Sequence, residues 1–366
     1  MENTARIYRI GGHRVRVVMD APWMFKPLTP DQAALVARLA HGEDIGVIPV
    51  PADKQQDLSV NEQRMGKEAA MTRERWETLS AEERDVFRHA IDFQQYAPFE
   101  DAEEGPVLFT MRVCPESPEW IEKDRAEWTR VVAVDEMLPY YYGYRYGEWT
   151  VYEYFPAEGI SAGLFVLNGD FSEGTYYPRP RIGAKTTLMQ VNTSLMIQFT
   201  FATAPLDTLL LHASVIREAG RANLFFGVSG TGKSTHSRLW LSHVPGCDLM
   251  NDDNPVIRFE DGKLMVYGSP WSGKTLCYRN VVAPVRALVR LEQAPENRIE
   301  RLLALDAYAS VIAAASTIRW NPSVMDRLIP TVERIAMNVP CFRLGCRPDA
   351  EAVETCRAGI GSDVLQ

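Results

Sequence analysis

The chain has 366 residues, 46% hydrophobic and 24% charged, with a formal net charge of −9, the make-up of an ordinary soluble globular protein. That acidic balance argues against a general nucleic-acid binder, which needs a basic face, and no apolar run approaches the ~20 residues that cross a bilayer. No apolar core follows the opening Met-Glu-Asn-Thr-Ala-Arg, so no secretory signal is expected; six scattered cysteines without a C-x-x-C pair point to reduced thiols in a cytoplasmic compartment, not to structural zinc.

Taken in chain order, Arg6 to Met19 alternates like a hairpin turning at Gly11-Gly12. Thr29 and Pro30 cap and open a helix over Asp31 to Ala40. The polar stretch from His41 to Met65 reads as a surface loop, and the capping box Ser80 to Glu83 opens a helix towards Phe93. From Val107 to Tyr177 β signals dominate, with strands at Leu108–Val113, Trp149–Phe155 and Gly163–Leu167 and a hairpin turn at Asn168-Gly169. The aromatics from Tyr140 to Tyr146 read as a strand face packed on a sheet or as a ligand-stacking surface. After Pro178 to Gly183 the character changes: Leu188 to Phe201 is apolar and helical, leading into a strand Leu209–Ile216. Two domains are therefore expected, an α+β unit over 1–185 and a second unit over 186–366. Choice of substrate is expected to reside in the first.

Gly227 to Ser234 is a complete G-x-x-x-x-G-K-[ST] phosphate loop. The apolar run Ala222–Phe226 before it reads as a strand, and Thr235–Ser242 after it as a helix with Leu239 and Trp240 inward, the context the motif requires. Such a loop turns successive amides into one concavity at a helix N-terminus. Gly227, Ser229, Gly230, Thr231, Gly232, Lys233, Ser234 and Thr235 are the expected contacts of a nucleoside triphosphate. Lys233 would reach the β- and γ-phosphates and Ser234 would hold Mg²⁺, with Mn²⁺ as a substitute. A second match, Gly268 to Thr275, is a poor cradle, because Pro270 has no N–H and Trp271 is bulky.

Three further features gather at the loop. A turn at Glu218 to Arg221 would fold the strand carrying His212 back beside Gly227. Asp252 and Asp253 follow Gly227 by one helix and one return strand, where a carboxylate binds the magnesium shell and a neighbour can deprotonate a hydroxyl. Asp261-Gly262 is a hairpin turn; if Glu260 pairs with Lys263, Asp253 faces Pro270 and Asp252 faces Trp271. That returns Lys274 to the carboxylates as a clamp on the γ-phosphate or on an anionic acceptor; the other reading is a solvated loop lysine.

On Leu211–Val215, Gly227–Ser234 and Asp252-Asp253 the chain resembles the C-terminal catalytic domain of HPr kinase/phosphorylase and, more loosely, ATP-dependent phosphoenolpyruvate carboxykinase. The resemblance covers roughly 188 to 300. It implies a mixed α/β fold of the P-loop type that these families share, with Asp252 as general base and Asp253 at the metal. The role of His212 stays open, since the carboxykinases use their histidine as a metal ligand. The end of the chain, Val339–Leu344 and then Pro348–Val353, looks like the tail of HPr-kinase-like proteins found with peptide-modification systems. Two departures matter. The arginine-rich signature of HPr kinases is replaced by Gly268–Lys274, which argues against HPr as substrate. No lysine or arginine lies between Gln190 and Leu211, where the carboxykinases place a metal-binding lysine. The expectation is an ATP-dependent kinase acting on a hydroxyl, on serine in a protein or peptide or on a small molecule, with Asp252, Lys233, His212 and Lys274 carrying the chemistry. A non-catalytic nucleotide-binding regulator is the alternative, with a carboxykinase-like lyase behind it. No nucleic acid or membrane partner is expected, and a homo-oligomer is left open.

Overall fold

In a computed structural model of the chain, the structure describes residues 4–20, 94–134, 140–156, 160–179, 184–273, 275, 277–316 and 321–362. The helices expected over Asp31–Ala40 and from Ser80 to Phe93, and the loop His41–Met65, lie outside these residues. The architecture is mixed α/β, built on two sheets. Among the described residues no helix is long and apolar enough to cross a membrane.

The first sheet has eight strands. β1 (Thr4–Ile10) and β2 (His13–Met19) pair antiparallel around Gly11-Gly12. β2 and β3 (Phe109–Val113) are parallel, as are β3 and β8 (Glu173–Pro178). The remainder is an antiparallel meander of β4 (Thr129–Val134), β5 (Tyr140–Tyr146), β6 (Trp149–Phe155) and β7 (Gly163–Leu167), which ends against β8. The tyrosine run is thus strand β5. On one face Tyr144 and Tyr146 pack with Trp120 and Trp128, which flank the short helix α1 (Trp120–Lys123) and the following 3-10 turn.

The helix α2 (Ala184–Thr203) packs on β3, β7 and β8, and its buried Val191, Leu195, Phe199 and Phe201 belong to a core that continues into the second sheet. The two sheets meet closely. A Cβ on Gly11 would stand 2.5 Å from Val256 Cγ1, and Gly11 has φ +56. Glycine satisfies both demands at once, close approach and a left-handed turn. His13 Nε2 meets Thr208 Oγ1 at 2.9 Å across the same junction.

The second sheet runs β12 (Asp248–Asp253), β10 (Ala213–Glu218), β11 (Arg221–Phe226), β15 (Val282–Gln293), β14 (Lys263–Tyr267), β13 (Val256–Glu260) and β9 (Thr208–Leu210), with β16 (Arg298–Arg301) and β17 (Cys341–Cys346) beyond β15. The long β15 belongs to two halves: its start pairs antiparallel with β14, its end parallel with β11 and β17. The run Leu209–Ile216, expected as one strand, is two. β9 pairs with β13 in one half, β10 with β11 and β12 in the other, and the chain crosses between them at Leu211 and His212. Both crossing amides are satisfied, Leu211 N–H by Pro255 O and His212 N–H by Ala314 O. Helices α3 (Lys233–His243) and α6 (Ala350–Ser362) contact one another beside β10 to β12, β16 and β17, and α4 (Ala304–Ala314) and α5 (Pro322–Asn338) pack together, with α5 against β9.

Candidate functional site

The glycine loop joins β11 to α3. Gly227 has φ +152, and a Cβ there would lie 2.8 Å from Leu291 O, so the loop leaves the sheet pressed against β15 in a conformation closed to other residues. Its crest, Val228 to Gly230, is exposed. Thr231 Oγ1 donates to Val228 O (2.8 Å) and Gln293 Nε2 to Gly230 O (3.2 Å), which fixes the curl from inside and from β15. Gly232, at φ 100, stands at the N-cap with no side-chain cap bond. The first amides of α3 therefore lack intrahelical partners and leave a partial positive charge at the loop mouth.

Lys233, half-buried, donates from Nζ to Gly227 O (3.1 Å). Burial lowers its pKa below the usual lysine range, and the nearby Asp253 and Asp252 only partly offset this. Ser234 Oγ donates to Asp252 Oδ1 at 3.1 Å, and Asp252 is buried on β12 opposite Ser214 of β10. Ser214 Oγ in turn meets Ser237 Oγ of α3 at 2.7 Å, which ties helix to sheet beneath the site.

Asp253 faces different partners. One carboxylate oxygen, Oδ1, lies 2.9 Å from His212 Nδ1; the other, Oδ2, accepts from Asn254 Nδ2 at 2.9 Å. Asn254 Oδ1 accepts from Ser316 Oγ (2.6 Å). His212 thus turns Nδ1 towards the carboxylate, and Nε2 has no partner among the described residues. The expected return of His212 to the loop is realised by the β10–β11 pairing, where Ala213 opposes Phe226 next to Gly227.

The β13–β14 hairpin keeps the expected pairing, Glu260 with Lys263 through Val256 with Tyr267. Beyond it the register moves by two: Asp253 bridges Ser272, where Pro270 was expected, and Asn254 N–H donates to Trp271 O (3.2 Å). Pro255 and Pro270, without N–H groups, cannot continue the ladder. Gly273 N–H donates to the main-chain carbonyl of Asp252 (2.6 Å), and a Cβ on Gly273 would lie 3.3 Å from Asp253 Cγ, so the second glycine loop runs beside the aspartate pair. Lys274 lies outside the described residues.

Asn254 and Ser316 were not singled out in the sequence. The first is visible there only as turn chemistry in Asn-Asp-Asp-Asn, and the second carries no local signal. Among the described residues no group of three or more His, Cys, Asp or Glu could hold a metal. The hydroxyl of Ser234 beside the carboxylate of Asp252 is a pair of hard oxygen donors. That suits Mg²⁺, which is commonly held by one or two carboxylates together with phosphate oxygens and water.

No family model matches the chain, and no curated protein matches it. Among solved structures, the HPr(Ser) kinase/phosphatase from Coxiella burnetii is similar at 13% sequence identity and a TM-score of 0.27, over 43% of this chain and 99% of that one.

Proposed function

We propose that this chain is an ATP-dependent phosphotransferase that moves the γ-phosphate to a hydroxyl, on a protein, a peptide or a small molecule. One observation carries the reading: Lys233, the Ser234–Asp252 pair and the His212–Asp253 pair converge on the mouth of one glycine loop at a helix N-terminus. Loop amides and Lys233 bind and orient the phosphates, so positioning and charge neutralisation supply most of the catalysis. Ser234 and Asp252 would hold Mg²⁺, which neutralises phosphate charge when bound.

The geometry favours exchanging the roles that the resemblance implies for the two aspartates. Asp252 is buried and bonded to the loop serine, the combination of a cation ligand. Asp253 orients His212 so that its Nε2 lone pair is free. In the transfer, Nε2 takes the proton of the acceptor hydroxyl. The oxygen bonds to the γ-phosphorus while the bond to the β–γ bridging oxygen breaks, and ADP leaves with that electron pair.

The test is incubation with ATP, Mg²⁺ and a panel of hydroxyl metabolites and serine peptides, read by mass spectrometry for a phosphate gained by the acceptor. Alongside it, Lys233→Ala should weaken ATP binding in calorimetry by roughly 10- to 100-fold, the worth of a charge-assisted hydrogen bond. A variant that binds ATP like the parent, with no acceptor phosphorylated across the panel, would sink the proposal.

A further inference from the structure

The second glycine loop brings a further hydroxyl to the aspartates. Asp253 of β12 and Ser272 form an isolated antiparallel bridge. Residues opposed in such a pair point their side chains to the same face, with Cβ atoms about 4.5–5.5 Å apart. Ser272 therefore stands beside the carboxylate that orients His212. The close approach is built in. A Cβ on Gly273 would lie 2.9 Å from Asp252 O and 3.2 Å from Asp253 Cβ, and one on Gly268 would lie 1.9 Å from Arg279 O. Only glycine lets the loop lie this near. Asn251 holds loop and strand together: its Nδ2 donates to Ser269 O (3.3 Å), and its Oδ1 accepts from Asp253 N–H (3.1 Å).

Other hydroxyls of this region are already committed. Ser234 Oγ donates to Asp252, Ser316 Oγ donates to Asn254 Oδ1, and Ser214 and Ser269 are buried. Ser272 is half-buried; its Oγ donates to Thr275 O (2.5 Å) and lies 3.5 Å from Asp252 O. Rotation about the Cβ–Oγ bond redirects that hydrogen without moving the oxygen. Lys233 lies within the field of both aspartates, whose charges raise its pKa against the lowering by burial. A γ-phosphate held by Lys233 therefore arrives beside Asp253, on whose flank Ser272 waits.

We propose that Ser272 is phosphorylated by the protein itself, within one molecule, when no external acceptor occupies the site. The Ser272 oxygen bonds to the γ-phosphorus of ATP, and its proton passes to the His212–Asp253 pair. The bond to the β–γ bridging oxygen breaks, and ADP leaves with that electron pair. The phosphoserine sets about two negative charges beside Asp252 and Asp253, where the next γ-phosphate would arrive, and so shuts the site. The proposal rests on the phosphotransferase reading above.

The full-length protein, first treated with phosphatase and freed of it, is incubated with ATP and Mg²⁺ alone and read by intact mass and peptide mapping. Each chain should gain a single phosphate, on Ser272, at a rate per molecule that dilution does not change. Ser272→Ala should stay unmodified and bind ATP within about threefold of the parent, since the loop's main-chain bonds are kept. The modified protein should bind ATP at least ~10-fold more weakly in calorimetry, a loss that phosphatase reverses. Phosphate on another residue, a rate that falls on dilution, or unchanged ATP affinity after modification would overturn the proposal. An unmodified chain in a preparation that phosphorylates a member of the acceptor panel would overturn it too, and leave the phosphotransferase reading standing. An unmodified chain that also fails with every acceptor would remove that reading, and this proposal with it.

Discussion

Asp252 and Asp253 are adjacent in β12, so their side chains leave opposite faces of the strand. One meets the loop serine and the other meets His212. Asp252→Asn should therefore weaken Mg²⁺-dependent ATP binding by about tenfold, seen as a loss of the difference between titrations with and without Mg²⁺. His212→Ala should leave ATP affinity within about threefold and depress transfer by at least ~100-fold, the usual worth of a general base. Asp253→Asn should behave like His212→Ala for a specific reason. Asn254 Nδ2 donates to residue 253, so an amide there turns its oxygen to Asn254 and its NH₂ to His212. The imidazole must then accept on Nδ1 and carry its proton on Nε2, where it cannot act as a base. Calorimetry and single-turnover transfer on the same preparations separate the two aspartates; normal turnover in Asp253→Asn would return the base to Asp252.

The second glycine loop is built as a bracket beneath these carboxylates. Ser269 Oγ donates to Asn254 O (2.6 Å) and accepts from Trp271 N–H (3.1 Å), while the buried Trp271 Nε1 donates to Tyr96 OH (3.1 Å), which donates to Asn192 Oδ1 (2.5 Å). A chain of bonds thus runs from the 3-10 turn Gln94–Phe99 through α2's neighbourhood to the loop that touches Asp252. Tyr96→Phe strands the indole N–H and should lower unfolding free energy by about 1–3 kcal/mol, measured by urea denaturation. ATP affinity should hold while transfer falls. What the sequence disclosed of this region was local: the glycine loop between strand and helix, the Asp261-Gly262 hairpin, and the approach of His212 to Gly227 through one tight turn. Tyr96, Asn192 and Ser316 reach the site only through tertiary packing, so no spacing betrays them. The break at Leu211-His212 was hidden for another reason. Leu209 to Ile216 is strand-like throughout, and a change of strand partners leaves no mark on an apolar run.

At the scale of the whole molecule, two buried histidines tie stability to pH. Burial, helped by Arg258, holds His13 down to about 4, and burial alone does the same for His236. In the unfolded chain each titrates near ~6.5. Between those values the unfolded state takes up protons that the fold refuses. Stability is therefore full above pH 6.5 and falls as the pH drops towards 4, by up to about 1.4 kcal/mol per pH unit for each histidine. Urea midpoints at pH 7 and pH 5 check this, and His13→Gln should flatten the slope; an unchanged slope would mean His13 is not held neutral in the fold.

The crossing between β9 and β10 has a consequence of its own. Strand partners fix both flanks, β9 through β13 and β10 through β11 and β12, and two residues span the gap. That gap is a gauge: one glycine inserted after His212 has nowhere to go but the crossing. The strands keep their partners, the hydrophobic interior stays filled, and the imidazole is displaced from Asp253 although every reactive side chain is retained. An insertion there would yield a thermally normal protein with an intact nucleotide isotherm and no turnover, a lesion that a survey of point substitutions would never reveal.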